Sequence, residues 1–177
     1  MEDNGLFSPA QHGFRRWHSC ETALAVAVHT LSTYLDQRTP CKLVLLDFSK
    51  AFDRTDHALL PQKMEKVGIE GTLANWVMNF VSGRTQRVAS HDHLSPPCTV
   101  LAGVPQGSVL GPTLFSIYVN DITDWMQSKA ILYADDLTLI QPLNSPDAFT
   151  SLQSDLDACL RWSTVHKLPK NPKKVKA

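Results

Sequence analysis

Ile131-Leu132-Tyr133-Ala134-Asp135-Asp136-Leu137-Thr138-Leu139-Ile140 runs apolar and β-branched residues up to two adjacent carboxylates, then resumes them on the other side. The pattern predicts two short strands joined by a tight turn, with Asp135 and Asp136 at the tip. Adjacent carboxylates repel each other, and a fold keeps such a pair mainly where cations neutralise it. Asp is also a common turn residue, so this stretch alone is explained as well or better by a solvated acidic turn.

A second acidic stretch shifts that balance. Lys42-Leu43-Val44-Leu45-Leu46-Asp47 is a short apolar run closed by one carboxylate, which predicts a buried strand delivering Asp47 at its end. On neighbouring strands, Asp47, Asp135 and Asp136 would make a carboxylate cage for two Mg²⁺ ions. Such ions sit roughly 3.5–4 Å apart and clamp the attacking and leaving oxygens of a phosphoryl transfer. Three blocks then stand in order: Asp47-Phe48-Ser49-Lys50-Ala51-Phe52-Asp53, Gly103-Val104-Pro105-Gln106-Gly107-Ser108-Val109-Leu110-Gly111-Pro112, and Tyr133-Ala134-Asp135-Asp136. They resemble motifs A, B and C of reverse transcriptases, and more narrowly those of the polymerase of non-LTR (LINE-type) retrotransposons. The resemblance runs over residues 9–174.

At 177 residues the chain is long enough for one good core, or for one domain plus a fragment of another. An apolar fraction of 43% with four Trp argues for a globular chain. Its 17 basic and 17 acidic residues cancel. A complete nucleic-acid polymerase is expected to carry a basic surplus for phosphate contacts, so neutrality hints that the basic parts lie outside this stretch. Cys20, Cys41, Cys98 and Cys159 are scattered, which supports neither a zinc site nor a disulfide framework and fits a reducing compartment. His91 and His93 near Cys98 read as a solvated, Pro-rich loop. The acidic residues 1–5 are not followed by an apolar run of signal length, and no stretch approaches the ~20 apolar residues of a membrane span. The expectation is an intracellular chain, nuclear or cytoplasmic, with no membrane partner.

Pro9-Ala10-Gln11-His12-Gly13-Phe14-Arg15 leads into a helix expected to open at Ser19, with Leu24, Ala27, Val28, Leu31 and Leu35 recurring at helical spacing. After the Asp47 strand, a helix is expected to end at Lys66 or Val67, stopped by Gly68. Pro61 requires that it begin near Leu60 or kink. The next helix sets Leu73, Trp76, Val77, Phe80 and Val81 on one core face, with Gly83 past its end. Residues 84–88 and 99–101 read as hairpin strands around a turn at 91–97. Pro112 fits the first turn of a helix carrying Leu114, Ile117, Tyr118, Ile122 and Trp125 inward. Ser145-Pro146-Asp147 starts a last helix with Phe149, Leu152, Leu156 and Leu160 on one face, and a basic tail follows.

This alternation argues for an α+β layer structure, a small antiparallel sheet with helices packed on one face. The resemblance sharpens it to a polymerase palm with a ferredoxin-like core. Residues 1–40 would be a partial fingers segment and residues 41–177 the palm, ending in a basic motif-D-like tail with no thumb after it.

Carried over residue by residue, the resemblance implies that Asp47, Asp135 and Asp136 hold two Mg²⁺ ions, with Mn²⁺ able to substitute. Arg15, in a Gln-x-Gly-Phe-Arg block of the fingers, matches an arginine that approaches the incoming triphosphate; an exposed loop arginine is the alternative. Phe52 matches a bulky residue that excludes a ribose 2′-hydroxyl, and an ordinary core Phe explains it equally well. Gln106 and Gly107 match residues bordering the nucleotide–template pair, Gly107 because a missing side chain permits close backbone approach. Asp53 is given a structural role. Lys174 matches a motif-D lysine acting as general acid near the leaving pyrophosphate. Lys170, Val175 and Pro169 depart from that motif, so a solvated basic tail competes. The function implied is an RNA-directed DNA polymerase fragment, moving a nucleotide from a dNTP to the 3′-hydroxyl of a DNA primer on an RNA template. The competing reading is an inactive, truncated retrotransposon remnant that at most binds nucleic acid or a protein partner.

Overall fold

The computed structural model describes residues 5–171. Ser19 opens α1 (Cys20–Asp36) with a reciprocal cap: its hydroxyl accepts from the Thr22 N–H, and Thr22 Oγ1 accepts from the Ser19 N–H. β1 (Cys41–Asp47) follows, then a single 3₁₀ turn at Phe52–Arg54. α2 (Leu60–Lys66) carries Pro61 in its first turn, where a missing N–H costs no helical bond. Of the two alternatives for Pro61, the helix begins at Leu60, while the Asp56 carboxylate caps the preceding turn through the Ala58 N–H. α3 (Gly71–Val81) comes next. β2 (Thr85–Gln86), β3 (Ala89–Ser90), β4 (His93–Leu94) and β5 (Cys98–Thr99) form an exposed arm in which β2 pairs β5 and β3 pairs β4. α4 (Leu110–Val119), β6 (Lys129–Tyr133), β7 (Asp136–Pro142) and α5 (Ala148–Val165) complete the order.

β7 lies between β1 and β6, antiparallel to both. Alternation along the strands gives the sheet two apolar faces. Val44, Leu46, Leu132, Leu137 and Leu139 enter the main core with residues of α2, α4 and α5 such as Met64, Phe115, Tyr118 and Trp162. Ile131 and Ile140 point the other way, onto Ala23, Val26, Ala27 and Leu31. The palm-type layering of a small antiparallel sheet and helices is therefore present. One addition is needed to the one-face expectation: α1 covers the second face, because β6 and β7 are apolar on both.

Helical spacing put several side chains on the wrong side. Leu24, Val28 and Leu35 of α1 are exposed, and Ala23, Val26, Ala27, Leu31 and Tyr34 meet the sheet instead. In α3, Val77 and Val81 are core while Leu73 and Trp76 are exposed, Trp76 stacking on Phe80. Trp125 is exposed because α4 ends at Val119 and turns follow, which breaks the spacing that placed it inward. α5 buries Leu152, Asp155, Cys159 and Trp162 rather than Phe149 and Leu160. Each of these helices carries more apolar residues than one stripe can bury, so periodicity alone does not choose between stripes.

Two polar features tie the helical layer down. The Asp155 carboxylate, buried in α5, accepts from the Gln127 and Ser128 N–H groups at 3.0 and 2.7 Å and fixes the entry to β6. Lys63 Nζ, also buried, lies 2.5 Å from Asp121 Oδ1, which accepts from Trp162 Nε1 at 2.9 Å; Lys66 Nζ reaches Oδ2 at 2.8 Å. Burial alone would push the Asp121 carboxyl up. The hydrogen bonds from Lys63, Lys66 and Trp162 outweigh it and hold the group at about 2. Among the described residues, no helix is long and apolar enough to cross a membrane.

Candidate active site

Asp47 is the last residue of β1, and its register partner across the ladder is Asp136, the first residue of β7. Directly opposed residues of an antiparallel pair point to the same face with Cβ atoms roughly 5 Å apart, so these two carboxylates start from one spot on the sheet end. Asp135 stands one residue earlier, half-buried in the turn. The turn is tight because Ala134 adopts a left-handed backbone with φ +57°. The three side chains offer oxygen donors only, which suits a hard divalent cation. Among the described residues, no three His, Cys, Asp or Glu side chains are drawn together into a metal-binding group. The set is thus two carboxylates opposed on the ladder and a third in the adjoining turn.

Next to it lies a cavity of roughly 410 Å³ lined by Phe52, Gln106, Gly107 and Asp135, four of the residues singled out from sequence, together with Phe14 and Lys50. The loop before α4 is zipped onto the 3₁₀ turn: Gly103 N–H donates to Thr55 O at 2.8 Å and Val104 N–H to Phe52 O at 2.9 Å. Gly103 must be glycine, since it has φ +92° and a Cβ there would lie 2.8 Å from the Asp53 backbone. Gln106 Nε2 donates to Asp53 Oδ1 at 2.6 Å, and Asp53 lines the cavity as well. Gly107, at φ +80°, has nothing within 4 Å of where a Cβ would stand. Phe52 is half-buried, stacked on buried Phe115 at 4.3 Å and met edge-on by Phe14 at 5.7 Å.

Arg15 is placed differently. Its Nη1 donates to Ser8 O at 2.8 Å and Gln11 O at 3.2 Å, and its guanidinium lies over the Phe7 ring, which binds it into its own loop. After α5 the chain packs back on the sheet through Asn171. Leu168 is fully buried, Ser49 N–H donates to Pro169 O, and Lys170 forms an antiparallel bridge with Phe48. Asn171 then donates twice to Asp47, from its N–H to the backbone oxygen at 2.7 Å and from Nδ2 to Oδ2 at 3.0 Å. Residues 168–171 are thus docked on the end of the sheet, with Pro169 and Lys170 exposed. Lys174 lies outside the described residues.

Sequence reasoning missed the parts played by Gln11, Gly13, Phe14 and Asn171. Gln11, Gly13 and Phe14 belong to the Gln-x-Gly-Phe-Arg block, and Asn171 opens the Asn-x-x-Lys stretch. Attention had gone to the charged member of each.

The reverse transcriptase (RNA-dependent DNA polymerase) family profile matches residues 1–177. The chain is 30% identical over 185 residues to the probable RNA-directed DNA polymerase from transposon BS of Drosophila melanogaster, covering 99% of this chain and 20% of that protein. It is 33% identical over 162 residues to the RNA-directed DNA polymerase from mobile element jockey of the same species, with 86% and 18% covered. The chain thus spans about a fifth of the length of these relatives. Among solved structures, telomerase from Candida tropicalis in complex with the TWJ fragment of telomeric RNA superposes with a TM-score of 0.69 at 10% identity, over 94% of this chain and 30% of that one, a likeness of fold. With the profile matched over its full length and non-LTR retrotransposon polymerases as its relatives, the chain belongs to the reverse transcriptase family.

Proposed function

We propose that the chain is the palm of an RNA-directed DNA polymerase that extends a DNA primer on an RNA template, with residues 1–40 contributing part of the fingers and residues 41–177 the palm. The observation that carries this reading is the cavity where Phe52, Gln106, Gly107 and Asp135 meet beside the Asp47–Asp136 pair. Two Mg²⁺ or Mn²⁺ ions held by Asp47, Asp135 and Asp136 would supply charge neutralisation for the triphosphate and activation of the primer hydroxyl. Phe52, braced by Phe115, offers a rigid wall against which a sugar 2′-hydroxyl would clash. Gln106 is held by Asp53 in one orientation at the cavity rim, and the open space at Gly107 lets a flat base pair approach the backbone. Arg15, whose Nη1 is bonded to the Ser8 and Gln11 carbonyls, would approach a triphosphate from that loop. Lys174 keeps the general-acid role drawn from the family pattern.

The test is to join the chain to the fingers and thumb of the jockey polymerase and measure primer extension on RNA with Mg²⁺ or Mn²⁺. The expected result is extension that Asp135→Asn lowers by more than about a hundredfold. Extension indifferent to that substitution overturns the reading.

A further inference from the structure

Residues 10–13 form a strap across the carboxylate turn. Gln11 makes a parallel bridge with Leu132; Leu132 N–H donates to Ala10 O at 2.8 Å, and His12 N–H donates to Leu132 O at 2.7 Å. These bonds bring the Gln11 side chain, only 1% exposed, alongside the turn. Its amide grips the Ala134 peptide groups from both sides. Oε1 accepts from the Ala134 N–H at 3.0 Å, and Nε2 donates to Ala134 O at 3.3 Å. Oε1 also accepts from the Gly13 N–H at 2.7 Å. Gly13 leaves room for this approach, because a Cβ there would lie 2.4 Å from Ala134 N.

Ala134 is the residue that needs holding. At φ +57° it sits in the left-handed region, which a residue with a Cβ occupies only when its surroundings impose it. Asp135 follows directly and Asp136 opens β7, so the Ala134 conformation sets how Asp135 leaves the backbone and how the turn presents it to the Asp47–Asp136 pair.

We propose that Gln11 is a positioning residue: its amide clamp on Ala134 aims Asp135 at the Asp47–Asp136 pair and thereby sets the affinity of the site for divalent cations. The proposal rests on the reading of these aspartates as cation ligands. A residue that merely fills a buried polar space would contribute to stability everywhere; a positioning residue acts on one turn. Gln11→Ala removes the clamp. Ala134→Gly makes the left-handed conformation intrinsically accessible, so it relieves the turn of its need for one.

The experiment uses this chain, with amide hydrogen exchange followed by NMR and Mn²⁺ binding followed by paramagnetic relaxation. In Gln11→Ala, exchange at Ala134 and Gly13 rises at least about tenfold while Leu137 and Leu139 keep their protection. Mn²⁺ binds about tenfold more weakly, the usual scale for losing a group that orients metal ligands. Adding Ala134→Gly to that variant brings Mn²⁺ affinity back to within roughly threefold of the original. The proposal is overturned if Ala134 exchange does not change, or if protection falls alike across β7 with no recovery from Ala134→Gly. It is equally overturned if Asp135→Asn weakens Mn²⁺ binding and Gln11→Ala does not. Should Asp135→Asn itself leave Mn²⁺ affinity untouched, the cation reading fails and the functional half of the proposal with it. That failure is distinguishable, because exchange at Ala134 would still respond to Gln11→Ala.

Discussion

On the proposed reading, sugar selection would depend on one ring, that of Phe52. Phe52 cannot tilt away from the cavity without giving up its stack on Phe115, so its wall is stiff as well as bulky. In the chain joined to a relative's fingers and thumb, Phe52→Val is expected to cut the preference for dNTP over NTP by about tenfold or more while Mn²⁺ affinity stays put. Steady-state incorporation of matched dNTP and NTP measures it, and an unchanged ratio returns Phe52 to an ordinary packing role. Gly13→Ala acts at the same scale by another route. The added Cβ meets backbone atoms of Ala134 that cannot swing aside, so urea unfolding should show a loss of about 1–3 kcal/mol. The place of Phe52 at the cavity was legible in the sequence because it lies five residues after Asp47 inside a block that resembles a family motif, whereas its role was not. Gln11 was not, since a polar residue in a loop has no periodicity and its partner, Ala134, is far away along the chain.

Between elements, the contact most exposed to a single substitution joins α2 to α5 through Asp121, just beyond α4. Asp121→Asn would leave the Lys63 ammonium buried without a carboxylate, and a loss of about 3 kcal/mol in chemical denaturation is expected. Lys63→Met should cost much less, because Asp121 keeps Lys66 and the Trp162 indole. Equal losses would mean that the pair is not the source of the effect. The pH dependence has a definite sign. Asp121 titrates below its ordinary value, so its contribution is complete above about pH 4 and disappears as pH falls through about 2. The acid limb of the stability curve should therefore lose about 2 kcal/mol there, and Asp121→Asn should remove that part of the limb. The elements themselves were readable from caps and breakers: Ser19, Pro61, Gly68 and Pro112 stand where the helices begin or end. Their burial was not: Leu24, Trp76 and Phe149 stand on helices with more apolar residues than one stripe buries, and Trp125 lies beyond the end of α4.

Across the whole molecule, charge decides what this chain can do unaided. Its basic and acidic residues balance, and the acidic site repels nucleic-acid phosphates until cations bind. The stretch also spans only about a fifth of the length of its relatives. We therefore expect the isolated chain to extend a primer poorly even with all three aspartates in place, since a ~1 Å error in positioning costs on the order of a hundredfold in rate. Robust extension by the chain alone, abolished by Asp135→Ala, would show that expectation to be wrong. At this scale the three ordered blocks made the family legible, whereas the covering of both sheet faces was not, because α1 reads as a separate segment until its contacts with β6 and β7 are seen.

The carboxylate end of the sheet is finished by segments from opposite reaches of the chain, residues 10–13 beside β6 and residues 168–171 beside Asp47 and Phe48. Synthesis runs from one to the other. The bonds that Asn171 makes to Asp47 can form only after the 124 residues that separate them along the chain have been added. A nascent polypeptide therefore carries the strap and the carboxylate turn before the segment that finishes the site at Asp47 has been made.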